Sequence, residues 1–313
     1  MSILCTGSVA VDHIMVHQGR FREAILPENL HVLNVAFHVP ELARSFGGTA
    51  ANIAFNLKKL GEDPIVLATV GGDDFGVYAA WLDRCGIGRE HIVGLPGESS
   101  AGAYIITDLE DNQITAFHPG AMDRAHEAPV SRVSKPFSVG LVSPNGKQAM
   151  IDHAAALKAR PGCMTVIDPG QGIPLFEGPE LLALLDGADL YIVNDYEWTS
   201  TLDRTGQSAA EIEARVGAVV VTLGEKGSRI LEKGTVAEVA PVAPAKVVDP
   251  TGCGDAFRAG LLHGLGRGLP IARAARIGSL MGALLVERAG TQSLDLDTAS
   301  LQARIDAVLA DPT

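Results

Sequence analysis

Short apolar runs alternate with helical stretches along most of this chain. That rhythm predicts an α/β fold: a doubly wound, mostly parallel sheet with helices on both faces. The runs PIVLATVG, SVGLVSP, CMTVIDPG, LYIVND and GAVVVTLG are nearly uniformly apolar and close in Pro, Gly, Asn or Asp, as strands covered on both faces do. Two segments, roughly 13–46 and 98–120, break the rhythm. We expect them to pair as a small β-sheet lid, leaving 1–12, 47–97 and 121–313 as the main body. Ligands in such folds bind at the carboxyl ends of the strands, where this lid would sit.

In chain order, SILCTGSVAVDHI reads as one buried strand ending at Asp12. From His13 to Phe46 the apolar residues scatter and alternate, as in HVLNVAFHV. GGTAANIAFNLKKLG reads as a helix with Ile53, Leu57 and Leu60 along one side and Gly61 at its C-terminal cap. PIVLATVG is a strand and DFGVYAAWLDRCG a helix. In AGAYIITDLEDNQITAFHPGAM, two alternating runs flank a polar turn at Glu110, Asp111 and Asn112, which predicts a hairpin. SRILEKGTVAEVA predicts a second hairpin, turning at Lys233-Gly234. The last third is helical: GDAFRAGLLHGLGRG, PIARAARIGSLMGALLVERAG, and a final helix from Thr298 to Leu309.

Composition narrows the function. The chain has 313 residues, 47% hydrophobic and 20% charged, an ordinary globular balance with length enough for a large core. A net charge of −12, no basic run and 5% aromatics argue against a nucleic-acid partner. The four cysteines are far apart, which suggests neither a zinc site nor a disulfide framework and fits a reducing cytoplasm. No signal peptide and no membrane-spanning run is expected. His13, His17, His31 and His38 cluster near the lid without metal-ligand spacing.

The stretch DPTGCGDAFRAG, residues 249–260, carries chemistry. It is neither a Walker A loop nor a dinucleotide fingerprint, because the residues those motifs require do not follow the glycines. Read alone, it is equally a tight turn capping a helix, with Asp255 as a first-turn acid. Read as a site, the amides of Gly252, Cys253 and Gly254 would stabilise a phosphoryl group in transfer, and Asp255 would accept the proton of the attacking hydroxyl.

Together with GGTAANIAFNLKKLG, the Asn194-Asp195-Tyr196-Glu197 segment and TLGEKGS, this loop resembles the signatures of the PfkB (ribokinase-like) family of sugar and nucleoside kinases, in the family's order over essentially the whole chain. The resemblance implies a ribokinase-like fold. It implies Asp255 as catalytic base, with Gly252, Cys253 and Gly254 as the anion hole. Cys253 stands where the family more often has Ala. Asp12, Gly47, Gly48 and Asn52 match the substrate-sugar site. Asn194 and Glu197 would organise Mg²⁺ beside ATP, with Glu197 reaching it through water, and Thr222, Gly224 and Gly227 would bind the nucleotide. Asp249 and Thr251, with the loop near Ala289 and Gly290, align with a monovalent-cation site of the K⁺ type. For Asn194 an N-cap role, for Asn52 a helix-surface role and for Asp249 a turn role remain open on the residues alone.

NQITAFHPGAM, residues 112–122, resembles the lid segment of the microbial nucleoside and adenosine kinase branch, which would place Phe117, His118 and Met122 against the base. The implied function is an ATP-dependent transfer to the 5′-hydroxyl of a ribonucleoside. Alternatives are a sugar kinase of the ribokinase or fructokinase type, and a non-catalytic nucleotide-binding regulator. Exposed edges of the lid sheet would favour a homodimer through the lid.

Overall fold

The computed structural model describes residues 2–25, 34–110 and 112–310. His31 and Asp111 therefore lie outside the described residues. The first apolar run is two strands, not one: β1 (Ser2–Thr6) and β2 (Ala10–Val16), which belong to different sheets. Between them the Ser8 amide donates to the Pro144 carbonyl at 3.0 Å, turning the chain out of the main sheet. Continuous apolar character hid that break. Of the alternating run 31–39, residues 34–39 are described and have no regular structure. A short helix, α1 (Phe21–Ala24), lies before it, and β3 (Glu41–Gly47) after it.

Then come α2 (Thr49–Lys59), β4 (Asp63–Gly71), α3 (Gly76–Arg84), β5 (Ile92–Leu95), β6 (Ala101–Thr107) and β7 (Gln113–His118). Helix α2 ends as its sequence predicts: the Gly61 amide bonds Lys58 O and the Glu62 amide bonds Leu57 O, the paired bonds of a Schellman cap. A 3₁₀ stretch (Gly120–Glu127) leads into β8 (Val139–Val142), α4 (Lys147–Lys158), β9 (Met164–Ile167), α5 (Gly178–Leu185), β10 (Leu190–Asn194), α6 (Asp195–Thr205), α7 (Ala209–Glu213) and β11 (Val219–Thr222). The hairpin β12 (Ser228–Glu232) and β13 (Thr235–Val239) turns at Lys233-Gly234, both at positive φ (53° and 74°). Helices α8 (Cys253–Gly266), α9 (Ile271–Val286) and α10 (Thr298–Ala310) complete the chain.

Among the described residues, nine strands form the main sheet in the order β13-β12-β11-β10-β9-β8-β1-β4-β5, parallel from β11 to β5. Alternation along β1 sorts its side chains: Ile3 and Cys5 enter the core under α2, α8 and α9, while Leu4 enters the opposite core with Met150 and Leu157 of α4. The small sheet runs β3-β2-β6-β7, with β2 and β6 parallel. The register pairs Asp12 with Ala103 and Ala103 with Phe117, so these three form one row across it. No helix among the described residues is long and apolar enough to cross a membrane.

Helices α8 and α9 cross through small residues. A Cβ on Gly278 would lie 2.7 Å from the Phe257 carbonyl, and one on Gly260 would lie 2.7 Å from the Ile277 carbonyl. Backbone cannot give way as a side-chain tip can, so these glycines fix how closely α8 is held. We expect Gly278→Ala to lower stability by about 1–3 kcal/mol, the usual cost of overpacking. Gly282→Ala, whose Cβ meets nothing nearer than 3.4 Å, should be neutral or stabilising. Urea unfolding midpoints decide it; equal midpoints for the two variants would refute the packing account.

Candidate active site

A cleft of about 940 Å³ opens between the carboxyl ends of the main strands and the inner face of the small sheet. Its lining brings together Asp12, Gly48, Asn52, Phe117, Met122, Asn194, Glu197, Thr251, Gly252, Gly254 and Asp255. These come from both sheets and from three helix starts. Asp12, on β2, is half-buried, and burial raises its pKa above the usual carboxylate value.

Gly48 precedes α2 with φ 90°; a side chain there would collide with the backbone of Ser8 and Ala10 at 2.5–2.6 Å. Gly252 precedes α8 with φ 80°. Both positions need the left-handed region that glycine tolerates. The DPTG turn is pinned by Asp249, whose carboxylate accepts the amides of Thr251 and Gly290, each at 2.9 Å. Burial opposes the charge on Asp249, yet those hydrogen bonds hold its pKa below the usual value.

Asp255 lies in the first turn of α8. Burial dominates its titration and pushes its pKa up to about 6, aided by the nearby charges of Asp168 and Asp12. A hydrogen bond from Asn52 and the charge of Arg258 pull the other way. The Asn52 Nδ2 donates to Asp255 Oδ2 at 2.8 Å, and its Oδ1 accepts from Gln292 Nε2 at 3.0 Å. Asn52 is thus buried and committed to protein partners on both ends of its amide, not on a helix surface.

Two further cleft residues, Asp168 and Arg258, form a buried bidentate pair; one of the two bonds, Nη2 to Oδ1, measures 2.8 Å. Arg258 Nη1 also donates to the Gly254 carbonyl at 3.2 Å, and Nη2 lies 3.9 Å from Glu197 Oε2. Burial opposes the charge on Arg258, but Asp168 overrides it and raises the pKa.

Asn194 caps α6 in a reciprocal box: its Oδ1 accepts the Glu197 amide at 2.7 Å, and Glu197 Oε2 accepts the Asn194 amide at 2.8 Å. The N-cap role is therefore real, and it also aims the Glu197 carboxylate into the cleft. Burial and the facing Asp168 raise the Glu197 pKa. Among the described lining residues, Asp12, Asp123, Asp168, Glu197 and Asp255 face one guanidinium, which is already paired. Such an oxygen-rich, negative cleft suits a hard divalent cation such as Mg²⁺, and a polyphosphate would need one to enter.

The structure does not bring every expected residue to the lining. His118 follows Phe117 on β7, so strand alternation turns it to the outer face, where its Nε2 pairs with Ser99 Oγ at 2.9 Å. Gly47 lies behind Asp12; a Cβ there would be 2.7 Å from that carboxylate, and its carbonyl accepts from Tyr78 at 2.7 Å. The Cys253 amide closes a turn on the Pro250 carbonyl at 3.2 Å, and burial raises its thiol pKa to about 11. Thr222 pairs in register with Asn194 at the end of β11, with Gly224 and Gly227 in the turn beyond, outside the main cleft. Asp168 and Gln292 carried no local signature strong enough to single them out, and Arg258, which the sequence offers as a phosphate contact, is held by Asp168 and Gly254.

The site is thus a mostly parallel sheet with a small β-sheet over a glycine-flanked carboxylate. The pfkB family carbohydrate kinase pattern matches residues 2–299, and the chain belongs to that family. It is a phosphotransferase with a hydroxyl acceptor, a nucleoside or sugar kinase. The chain is 30% identical over 293 residues to the nucleoside kinase of Methanocaldococcus jannaschii, covering 93% of this chain and 92% of that one. It superposes on the Burkholderia thailandensis nucleoside kinase solved with inosine at a TM-score of 0.87, with 40% identity and 99% of each chain covered. The same enzyme solved with ADP-inosine gives a TM-score of 0.85 at 41% identity, covering 99% of this chain and 97% of that one.

A carboxylate whose pKa rises on folding, from 3.8 to about 6, makes the native state less stable above that range and releases the penalty as pH falls through it. Asp255→Asn should therefore stabilise the fold by on the order of 1–3 kcal/mol at pH 7.5, and the gain should shrink toward pH 4. Denaturant unfolding at both pH values tests this; a variant less stable at pH 7.5 would contradict it.

Proposed function

We propose that this kinase transfers the γ-phosphate of ATP to the 5′-hydroxyl of a ribonucleoside. The observation that carries the reading is Asp255, half-buried at the start of α8 on the cleft floor, bonded by Asn52 and facing Asp12 across the cleft. Phe117 and Met122 supply an apolar wall on the lid side, suited to a flat base. That the relatives above are nucleoside kinases, one of them solved with inosine, supports a nucleoside over a simple sugar.

In this reading Asp12 and the free amide hydrogen of Asn52 hold the ribose hydroxyls, and Gly47 and Gly48 let the backbone come close. The 5′-oxygen bonds to the γ-phosphorus as its proton passes to Asp255, and the bond from that phosphorus to the β–γ bridging oxygen breaks, releasing ADP. Amides at Gly252 and Gly254 stabilise the charge on the transferred group, and Cys253 joins them when its turn on Pro250 opens. ATP lies along Thr222, Gly224 and Gly227. When bound with ATP, Mg²⁺ supplies charge neutralisation at the phosphates, and Asn194 and Glu197 are the residues that would hold it through its waters. Asp249 and Thr251 would border a K⁺ ion, with Asp249 tying the loop to Gly290. The small sheet acts as the lid and excludes water.

A panel of adenosine, inosine, guanosine, cytidine, ribose and fructose, read as nucleoside-dependent ADP release, separates a nucleoside from a sugar acceptor. We expect turnover on at least one ribonucleoside, falling as pH drops below about 6. Asp255→Asn should lose at least ~10²-fold in kcat. Near-normal kcat in that variant would refute the base, and turnover with sugars alone would refute the nucleoside.

A further inference from the structure

We propose that Gln292 is a positioning residue for the base: it dictates which way round the Asn52 amide sits, and so makes Asn52 a hydrogen-bond donor toward Asp255. The inference rests on the reading of Asp255 as the base.

The argument follows donors and acceptors. Gln292 is buried, 8% exposed, in the segment after α9 and far in sequence from Asn52. Its Oε1 accepts the Trp81 indole N–H at 2.6 Å. An indole nitrogen only donates, so this bond fixes the Gln292 amide: the oxygen faces Trp81 and the nitrogen faces the other way. Gln292 Nε2 then donates both hydrogens, to Asn52 Oδ1 at 3.0 Å and to the Tyr78 hydroxyl at 2.6 Å. Tyr78 spends its own proton on the Gly47 carbonyl at 2.7 Å, so its oxygen is free to accept. With Oδ1 of Asn52 held by a donor, Nδ2 must face Asp255, where it lies 2.8 Å from Oδ2.

An asparagine amide is nearly symmetric in shape, and only its partners choose its orientation. Without the Gln292 donor, nothing on that side prevents the inverted amide, which would set Oδ1 against the Asp255 carboxylate. Polarity thus runs one way from the indole of Trp81 to the base. The other groups facing Asp255 are Asp12 on β2, Asp168 after β9, Glu197 on α6 beside Arg258, Tyr78 on α3, and Cys253 and Arg258 on its own helix. Of these, only Tyr78 bonds Gln292, and it keeps its own bond to the Gly47 carbonyl when Gln292 is replaced.

The test is the pH profile of kcat/KM for the full chain with Gln292→Met and, separately, Trp81→Phe, on the nucleoside that the wild type turns over best. Losing a hydrogen bond to the charged form should move the acid limb up by about one pH unit in Gln292→Met, with a roughly fivefold loss at pH 6 that recovers above pH 8. Trp81→Phe keeps Gln292 but frees its orientation, so it should shift the limb in the same direction by less; it also keeps the test alive if Gln292→Met fails to fold. A merely structural role would lower thermal stability and leave the acid limb where it is. An unshifted limb in folded variants therefore overturns the proposal. Asp255→Asn serves as the separating control: if that variant stays active, the base assignment itself fails, whereas an inactive Asp255→Asn beside an unshifted Gln292→Met defeats only the positioning role.

Discussion

The whole site depends on keeping one carboxylate charged where burial favours the neutral acid. Asp255 stands at the amino end of α8, where the helix dipole favours negative charge, but it is also drawn from water and faces Asp12 and Asp168. The offsets come from elements distant in sequence: Asn52 from α2 and Arg258 one turn further along α8. Their balance leaves a carboxylate with a pKa raised to about 6, still ionised at neutral pH.

That balance needs α8 to sit at a fixed depth. The glycines at 260 and 278 bring α8 and α9 into backbone contact, and the loop after α9 then delivers Thr291 to the cleft and Gln292 to Asn52. Thr291 donates to the Phe46 carbonyl at 2.7 Å, which ties the same loop to the end of β3. The end of α9 is thus coupled through Asn52 to Asp255 and through Phe46 to the small sheet, by hydrogen bonds rather than by apolar packing alone.

Much of this was legible in sequence, for a physical reason. Strands buried on both faces must be uniformly apolar, and the glycines before α2 and α8 occupy backbone angles that other residues resist, so both leave local marks. Asp255 with Gly252, and Asn194 with Glu197, are recognisable because each set lies close together along the chain. The pair Asp168 and Arg258 is 90 residues apart, and Gln292 is 240 residues from Asn52; no local pattern marks such contacts. The break at Gly7-Ser8 was hidden because both strands it separates are apolar. His118 is different: period-two alternation beside Phe117 was enough to turn it outward.

The two sheets divide the chemistry. Asp12 and Phe117 belong to the small sheet, Asp255 and Asn52 to the main body. Two of the four crossings between them, at Ser8 and at Gly48, are pinned together: Ser8 Oγ accepts the Thr49 amide at 2.9 Å, the Ser8 carbonyl accepts the Ala50 amide at 3.1 Å, and Thr49 Oγ1 meets Ser143 Oγ at 2.9 Å. The other two crossings, before β6 and after β7, are pinned to each other as well: the Ala121 amide donates to the Ser99 carbonyl at 2.8 Å, and Thr69 Oγ1 of β4 donates to the Ala121 carbonyl at 2.6 Å. Asp12 and Phe117 therefore each lie within a few residues of an anchored crossing, which holds the row they share across the small sheet on the side of the cleft opposite Asp255.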